Sequence, residues 1–81
     1  MSEPRVKYRK LGKHRADGLF WDELILIEID PTLPAKRELE VFVHEYTHHL
    51  HPEWSEKRVT SEAKKLCNFL WRQGFRKVKT K

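Results

Sequence analysis

The sequence contains few of the features that stabilise or localise many small proteins. A single cysteine, Cys67, excludes a disulfide bond within the chain and gives no indication of an oxidising compartment. The longest aliphatic run, residues 24–27, is far too short to cross a membrane, and residues 1–5 are not followed by the apolar stretch of a signal peptide. We therefore expect a cytoplasmic protein with no membrane partner.

The composition predicts one domain with a small core. Of the 81 residues, 38% are hydrophobic and 36% are charged, so little apolar surface is available for burial. A domain of residues 1–81 lies near the lower size limit for folding on hydrophobic burial alone, and a bound metal ion could add stability. Cys67 is expected to pack as a small residue at the edge of this core.

The net charge of +5 is distributed unevenly along the chain. Residues 1–15 carry a charge of +5, residues 16–56 carry −8, and residues 57–81 carry +8. Acidic side chains are therefore concentrated in the middle of the chain and basic side chains at both ends. Basic ends of this kind are compatible with a polyanionic partner such as nucleic acid.

Hydrophobic periodicity and turn residues predict an α+β fold. An edge strand is indicated at residues 6–11, and two paired strands are indicated at 19–21 and 24–29. The predicted segments are a basic N-terminal segment at 1–17, a hairpin at 18–30, a helix at 35–50, a second helix at 55–73 and a basic tail at 76–81. The expected architecture is a small antiparallel sheet of two to three strands, followed by two antiparallel helices.

Local signals define the ends of the two helices. Pro34 is acceptable in the first turn of the first helix, and Pro52 ends that helix because a residue before proline disfavours helical geometry. Ser55 is a good N-cap for the second helix, and Gly74 is expected to end it. The side chains of the second helix that we expect to be buried are Val59, Ala63, Leu66 and Leu70.

The first predicted helix contains His44-Glu45-Tyr46-Thr47-His48, the H-E-x-x-H spacing of zinc hydrolases. Side chains four residues apart lie on one face of a helix, so His44 and His48 can bind the same metal ion. Glu45 projects beside that ion, where it can hold a water molecule and accept its proton. The motif therefore predicts Zn²⁺ as the cofactor and Glu45 as the catalytic base.

Apolar residues on the same helix support this interpretation. The expected buried residues are Leu39, Phe42, Val43, Tyr46 and Leu50. Their i, i+3, i+4, i+7, i+11 spacing is typical of a helix that packs on one face. At about 100° per residue, the two histidines of the motif fall roughly opposite this stripe. One face can therefore pack on a sheet while the other faces a cleft.

A catalytic zinc site normally has three protein ligands and one open position, so the motif requires a third ligand. The candidates near it are His51, Glu53, Glu56 and Glu62. His51 lies about 10 Å along the helix axis from His44, which is too far for a third ligand from the same helix. Depth in an antiparallel helix pair allows either Glu56 or Glu62, and the helix face favours Glu56 only modestly.

Three segments of the chain carry a resemblance to known proteins: LEVFVHEYTH at 39–48, SEKRV at 55–59 and LWRQGFR at 70–76. They resemble small metallopeptidase-like proteins of phages and bacteria and, more distantly, minimal zincins of the ImmA/IrrE type. In those zincins, a glutamate on the helix that follows H-E-x-x-H is the third ligand. The resemblance implies a gluzincin-like peptidase, from a bacterium or a phage, in which His44, His48 and Glu56 bind Zn²⁺. Glu62 is the reserve candidate.

A peptidase of this kind acts on a peptide or protein substrate. Zincins usually hold the substrate extended along a sheet edge, and the strand at 24–29 is the natural candidate here. Ile25, Ile27 and Ile29 are expected to share one face of that strand. Possible oxyanion-stabilising side chains are His49, His51 and Tyr8.

Two other interpretations remain open. The basic residues on the outer face of the second helix are Lys57, Arg58, Lys64, Lys65 and Arg72. They could contact the phosphates of nucleic acid, with or without peptidase activity, as in the SprT-like zinc proteases that act near DNA. A binding module with a purely structural zinc site is the other alternative. Such a site would need four protein ligands, with His51 or Glu53 completing the coordination.

Overall fold

A computed structural model describes residues 3–12 and 16–78 of the chain. The described elements are, in order, β1 (Arg5–Tyr8), β2 (Gly18–Trp21), β3 (Leu26–Ile29), α1 (Ala35–Leu50) and α2 (Glu56–Arg72). Three strands followed by two helices confirm the predicted α+β fold. Parts of the predicted basic N-terminal segment and of the basic tail, at 1–2, 13–15 and 79–81, lie outside the described residues.

The strands form a mixed sheet in the order β1-β3-β2. β2 and β3 form the predicted antiparallel hairpin, but β1 pairs with β3 in parallel, with Arg5 opposite Leu26 and Tyr8 opposite Ile29. The prediction of a wholly antiparallel sheet was therefore wrong. The chain after β1 passes to the opposite edge before it returns through the hairpin, so β1 and β3 run in the same direction. Alternation of side chains predicts a strand but not its direction.

β3 is two residues shorter than predicted because the hairpin turn occupies residues 22–25. The backbone N–H of Ile25 donates a hydrogen bond to the carbonyl of Asp22 at 3.2 Å. Ile25 also has a φ of 47°, in the left-handed region, so it lies in the turn and not on the predicted face with Ile27 and Ile29. The four remaining residues are all buried, as expected for the central strand of a covered sheet.

The ends of both helices agree with the sequence prediction. α1 spans 35–50, and the connection at 51–55 turns the chain back so that α2 packs against α1. The side chain of Ser55 accepts a hydrogen bond from the backbone N–H of Arg58 at 3.1 Å, as an N-cap does. Gly74 follows α2 with a φ of 92°, which glycine adopts without strain. Within the described residues, no helix is long and apolar enough to span a membrane.

The core lies between the sheet and α1. Ile27 and Ile29 of the central strand pack with Val41 of the helix, and all three side chains are buried. The partly buried side chains that pack against this cluster are Phe20, Leu33 and Phe42. The central strand and α1 are therefore fixed relative to each other, and this arrangement positions the residues at the C-terminal half of the helix.

α1 packs on the sheet through a face that is rotated from the predicted one. Its two buried side chains are Glu38 and Val41, whereas Tyr46 and Leu50 of the predicted stripe are 41% and 43% exposed. A sheet of three short strands covers only a narrow part of a helix. Gly18 lets β2 approach α1 closely at Val41, since a larger residue at this position would place its Cβ in the space that the Val41 side chain occupies. The predicted stripe is therefore only partly covered.

α2 packs on α1 through small side chains. Val59 and Ala63 are buried as predicted, but Leu66 is 47% exposed and Cys67 is buried in its place. The Cys67 thiol lies 3.8 Å from the backbone carbonyl of Lys36, in the first turn of α1. Small residues at these positions let the two helices approach closely, which brings the start of α2 beside the end of α1.

Ile27→Ala is expected to destabilise the domain by about 2–5 kcal/mol, because it leaves a cavity in the centre of the core. A domain of this size has a total free energy of unfolding of roughly 4–12 kcal/mol, so the variant should lose a large share of its stability and unfold at a clearly lower urea concentration. Leu24→Ala, in the hairpin turn and 55% exposed, is the control and should change stability by less than about 0.5 kcal/mol. Urea denaturation followed by circular dichroism measures both. Equal losses would contradict this description of the core.

Candidate metal site

The C-terminal half of α1 carries His44 and His48 on one face, as the H-E-x-x-H spacing predicts. Their ring centroids are 4.9 Å apart, and their Nε2 atoms are 3.2 Å apart. The two side chains are mostly buried, which restricts their orientations. Two imidazole nitrogens are therefore directed at the same point beside the helix.

Glu56 begins α2 directly opposite these two histidines. Its Oε1 lies 2.7 Å from Nε2 of His44 and 3.1 Å from Nε2 of His48. The cap formed by Ser55 fixes the first turn of α2 and so the direction in which the glutamate projects. The short connection between the helices thus brings a carboxylate to the two imidazoles.

These three atoms are close enough together to hold a metal ion. Four ligands placed tetrahedrally at about 2.0–2.1 Å from zinc lie roughly 3.3 Å from one another. The observed separations are 2.7, 3.1 and 3.2 Å, so two of the three are close to that value, and the His44–Glu56 pair is closer together than it. Among the described residues, His44, His48 and Glu56 form the only group of three that could hold a metal ion.

The other candidates for a metal ligand lie elsewhere. Glu62 forms an ion pair with Lys65 at 3.1 Å on the exposed side of α2. The ring of His51 is stacked on Trp54 at 3.8 Å between centroids, and its Nδ1 lies 3.7 Å from the carboxylate of Glu53. None of these side chains belongs to the group described above, and no described side chain adds a fourth ligand to it.

Glu45 lies next to the group without being part of it, and it lines the same cleft. Burial raises the pKa of the Glu45 carboxyl, although the nearby His44 and His48 rings act in the opposite direction. A carboxylate with a raised pKa accepts a proton more readily than an exposed one does. This environment suits a general base that faces a cleft.

The pKa of Glu56 is shifted in the other direction. Partial burial raises it, but the hydrogen bond with His48 and the charges of His44 and His48 together outweigh that effect. The pKa of the Glu56 carboxyl therefore lies below its usual value. This carboxyl is kept ionised, which is the form that binds a cation.

An open cleft of about 730 Å³ contains the group. β2 and the loop before it form one wall, α1 forms the floor, and the first turns of α2 form the other wall. Residues that line the cleft beside the group include Gly18, Leu19, Phe20 and Thr60. The volume is in the range of ligand-binding sites in proteins, about 300–1,000 Å³.

Sequence reasoning missed Asp17 and Arg37, which also line the cleft. Nε of Arg37 lies 2.7 Å from Oδ2 of Asp17, and its Nη1 lies 3.2 Å from Oε1 of Glu40. The Asp17 ion pair joins α1 to the residue before β2. Arg37 precedes His44 by seven residues, two helical turns, so its position on the cleft face could have been found from helical periodicity. Asp17 reaches the cleft only through the tertiary fold.

The side chains considered for oxyanion stabilisation do not line the cleft. The hydroxyl of Tyr8 donates a hydrogen bond to Oε2 of the buried Glu38 at 3.0 Å. His49 packs edge-on against Phe20, with 5.4 Å between ring centroids, and His51 is stacked in the connection between the helices. Those three expectations are not supported, and Arg37 is the basic side chain that the structure places in the cleft.

Gly18→Ala is expected to destabilise the domain by about 1–3 kcal/mol. The added Cβ would overlap Cγ1 of Val41 and approach Cγ of Glu45 to 3.4 Å, so β2 would have to move away from α1. Gly12→Ala is the matched control, because no atom lies within 4 Å of the position of its Cβ. Urea denaturation midpoints of the two variants test this. A loss of stability in Gly12→Ala as large as that in Gly18→Ala would contradict the close packing at Gly18.

Comparisons with protein-family models, with curated proteins and with solved structures found no match to this chain. The site is therefore interpreted from its own atoms. Those atoms show that His44, His48 and Glu56 could together hold a metal ion.

Proposed function

We propose that this chain is a zinc-dependent metallopeptidase. The observation that carries the proposal is the convergence of His44 Nε2, His48 Nε2 and Glu56 Oε1 in an open cleft. A site with three protein ligands leaves one tetrahedral position open, as catalytic zinc sites do, whereas structural sites have four protein ligands. The group has three members among the described residues, which favours catalysis over a structural role.

The donor set supports zinc as the metal. Two imidazole nitrogens and one carboxylate oxygen form one of the ligand combinations found in catalytic zinc sites. A zinc ion bound there supplies a Lewis acid that polarises a peptide carbonyl and lowers the pKa of water. The chain's contribution is to hold the three ligands in place: α1 fixes the histidines, and the capped start of α2 fixes Glu56.

Glu45 is proposed as the general base. It stands in the cleft beside the ligand group and is not itself a member of it, so its carboxylate remains available for proton transfer. In this role Glu45 accepts a proton from the attacking water and then delivers it to the leaving amine. Burial, which raises its pKa, suits both transfers because the group has to be a base first and an acid afterwards.

The substrate is proposed to bind as an extended peptide along β2. The strand predicted at residues 24–29 offers no unpaired edge for a peptide, because β3 is the central strand and is paired on both sides. β2 has one edge that no strand of the described residues pairs with. Gly18, Leu19 and Phe20 of β2 also line the cleft with the ligand group. A peptide added to this edge would lie across the group.

A peptide-cleavage assay tests the proposal. Zinc-loaded protein is incubated with a mixed library of fluorescence-quenched peptides, and the products are identified by mass spectrometry. We expect hydrolysis that a chelator stops and that Zn²⁺, but not Mg²⁺ or Ca²⁺, restores. The absence of any chelator-sensitive cleavage by protein shown to contain zinc would contradict the proposal.

A cytoplasmic location is part of the proposal. It is supported by the one cysteine of the chain, Cys67, which is free and buried. A chain with one cysteine forms no internal disulfide bond, so its fold does not depend on an oxidising compartment. Peptidase activity of the free-thiol protein, unchanged by the reductant dithiothreitol at concentrations too low to remove the metal, is the corresponding expectation.

A further inference from the structure

A second surface of the molecule is independent of the cleft. The outer face of α2 carries a row of exposed basic side chains: Lys57, Arg58, Lys64, Lys65 and Arg72. Their spacing places them on the side of the helix away from the buried Val59 and Ala63. The row from residue 57 to residue 72 extends over about 22 Å at 1.5 Å per residue. We refer to these five residues as the α2 basic row.

Carboxylates neutralise little of this row. The one carboxylate that α2 contributes beside it is Glu62, which pairs with Lys65 at 3.1 Å. Glu56, the other acidic residue of α2, faces the two histidines of the cleft instead. The charge of the row is therefore available to a partner.

Two arginines near the ends of α2 are held in fixed positions by indole rings. The guanidinium of Arg58 lies 4.0 Å from the centroid of the Trp54 ring, and that of Arg76 lies 3.9 Å from the centroid of the Trp71 ring. Stacking uses the flat face of a guanidinium and leaves its N–H groups at the edge free to bind oxygen atoms. An arginine fixed in this way loses less conformational entropy when it binds a phosphate.

The residues between the cations indicate the kind of partner. Ser61 and Asn68, which separate the basic side chains, are polar, and the exposed apolar side chains of α2, Leu66 and Phe69, lie along one flank of the row. A membrane-binding helix would present apolar residues between its cations, and the core of a protein interface is depleted of charge. A row of cations with hydrogen-bonding side chains between them instead matches a phosphate backbone.

We infer that the outer face of α2 binds the phosphate backbone of a nucleic acid duplex. One strand of B-DNA rises about 3.4 Å per phosphate while it winds around the axis, so a straight row of this length can face only a few successive phosphates of one strand. The surface lies outside the cleft and needs no metal ion. Nucleic acid binding is therefore separable from the proposed peptidase activity.

Fluorescence anisotropy with a labelled 20-base-pair DNA duplex of arbitrary sequence tests the inference, with full-length protein and a chelator present. If about four cations contact phosphates, the logarithm of the binding constant should fall with the logarithm of the salt concentration with a slope of about −3.6. A triple variant, Lys57→Gln, Lys64→Gln and Arg72→Gln, should make this slope shallower by about 0.9 for each cation removed.

The matched control removes the same charge from other surfaces. Lys7→Gln, Lys10→Gln and Lys36→Gln are exposed positions on β1, after β1 and at the start of α1. This control should keep the wild-type slope. Equal effects of the two triple variants would contradict the inference, because binding would then depend on net charge alone. Wild-type binding with a slope shallower than −1, or retention by anionic phospholipid vesicles but not by the duplex, would also contradict it.

The DNA-binding measurement does not depend on whether the chain has peptidase activity. Glu56→Ala, which removes a ligand from the cleft group, is expected to bind the duplex within twofold of wild type. All the substituted side chains of the two triple variants are exposed, so their unfolding midpoints should agree with wild type. A DNA-binding protein without peptidase activity, or a peptidase that does not bind DNA, would each be identified by these measurements.

Discussion

Glu45→Gln is expected to lower the rate of peptide hydrolysis by about 10²–10⁴-fold and to leave the metal in place. The substitution keeps the size and the hydrogen-bonding capacity of the side chain but removes the base. Glu45 is not a member of the His44, His48 and Glu56 group, so the metal affinity should change little. Steady-state cleavage of the best library peptide and zinc analysis of the same preparation measure the two quantities.

Glu53→Gln is the matched control for this prediction. Glu53 is an exposed glutamate in the connection between the helices, near the ring of His51 and outside the cleft group. The same chemical change at this position should leave both the rate and the zinc content at wild-type levels. If Glu45→Gln cleaved peptide as fast as Glu53→Gln does, Glu45 would not be the base and the proposed mechanism would be wrong.

Glu56→Ala is expected to lower the affinity for Zn²⁺ by more than about 100-fold. Substitution of residues that only orient metal ligands typically costs 10–100-fold, and the loss of a ligand should cost more. Glu62→Ala removes a glutamate from the same helix that pairs with Lys65 instead, and it should bind zinc as wild type does. Competition with a chromophoric zinc chelator measures both affinities. If Glu62→Ala lost zinc affinity and Glu56→Ala kept it, Glu62 would be the third ligand.

The same pair of variants should differ in thermal stability when zinc is added. A ligand that binds only the folded state stabilises it by about 2.7 kcal/mol at a concentration 100 times its Kd. Wild type and Glu62→Ala should therefore show a large rise in Tm on addition of zinc, and Glu56→Ala should show little. This readout does not depend on the discovery of a substrate.

The parts of the fold that were predicted correctly depend on local signals. Pro52, Ser55 and Gly74 act within a few residues of their own positions, and they placed the ends of both helices. Those ends leave the start of α2 beside the end of α1, which allowed either Glu56 or Glu62 as the third ligand. The helix face and the resemblance favoured Glu56, the residue that lies opposite His44. The candidate metal group was therefore accessible from the sequence.

The parts that were predicted wrongly depend on distant contacts. The parallel pairing of β1 with β3 is set by the route of the chain around the sheet, which no local pattern encodes. The buried face of α1 includes Val41 instead of following the predicted stripe, because β2 approaches the helix closely at Gly18. That contact joins residues that are distant in the sequence. The choice of residues 24–29 as the peptide-binding strand also depended on distant contacts, because only the strand order shows which strand edge is unpaired.

The metal content of the purified wild-type protein tests the central claim most directly. Elemental analysis after reconstitution with zinc and removal of excess metal is predicted to find one zinc ion per chain, bound through His44, His48 and Glu56. A chain that retains no zinc after reconstitution would contradict the account. The H-E-x-x-H spacing would then be coincidental, and the basic surface of α2 would become the main indication of function.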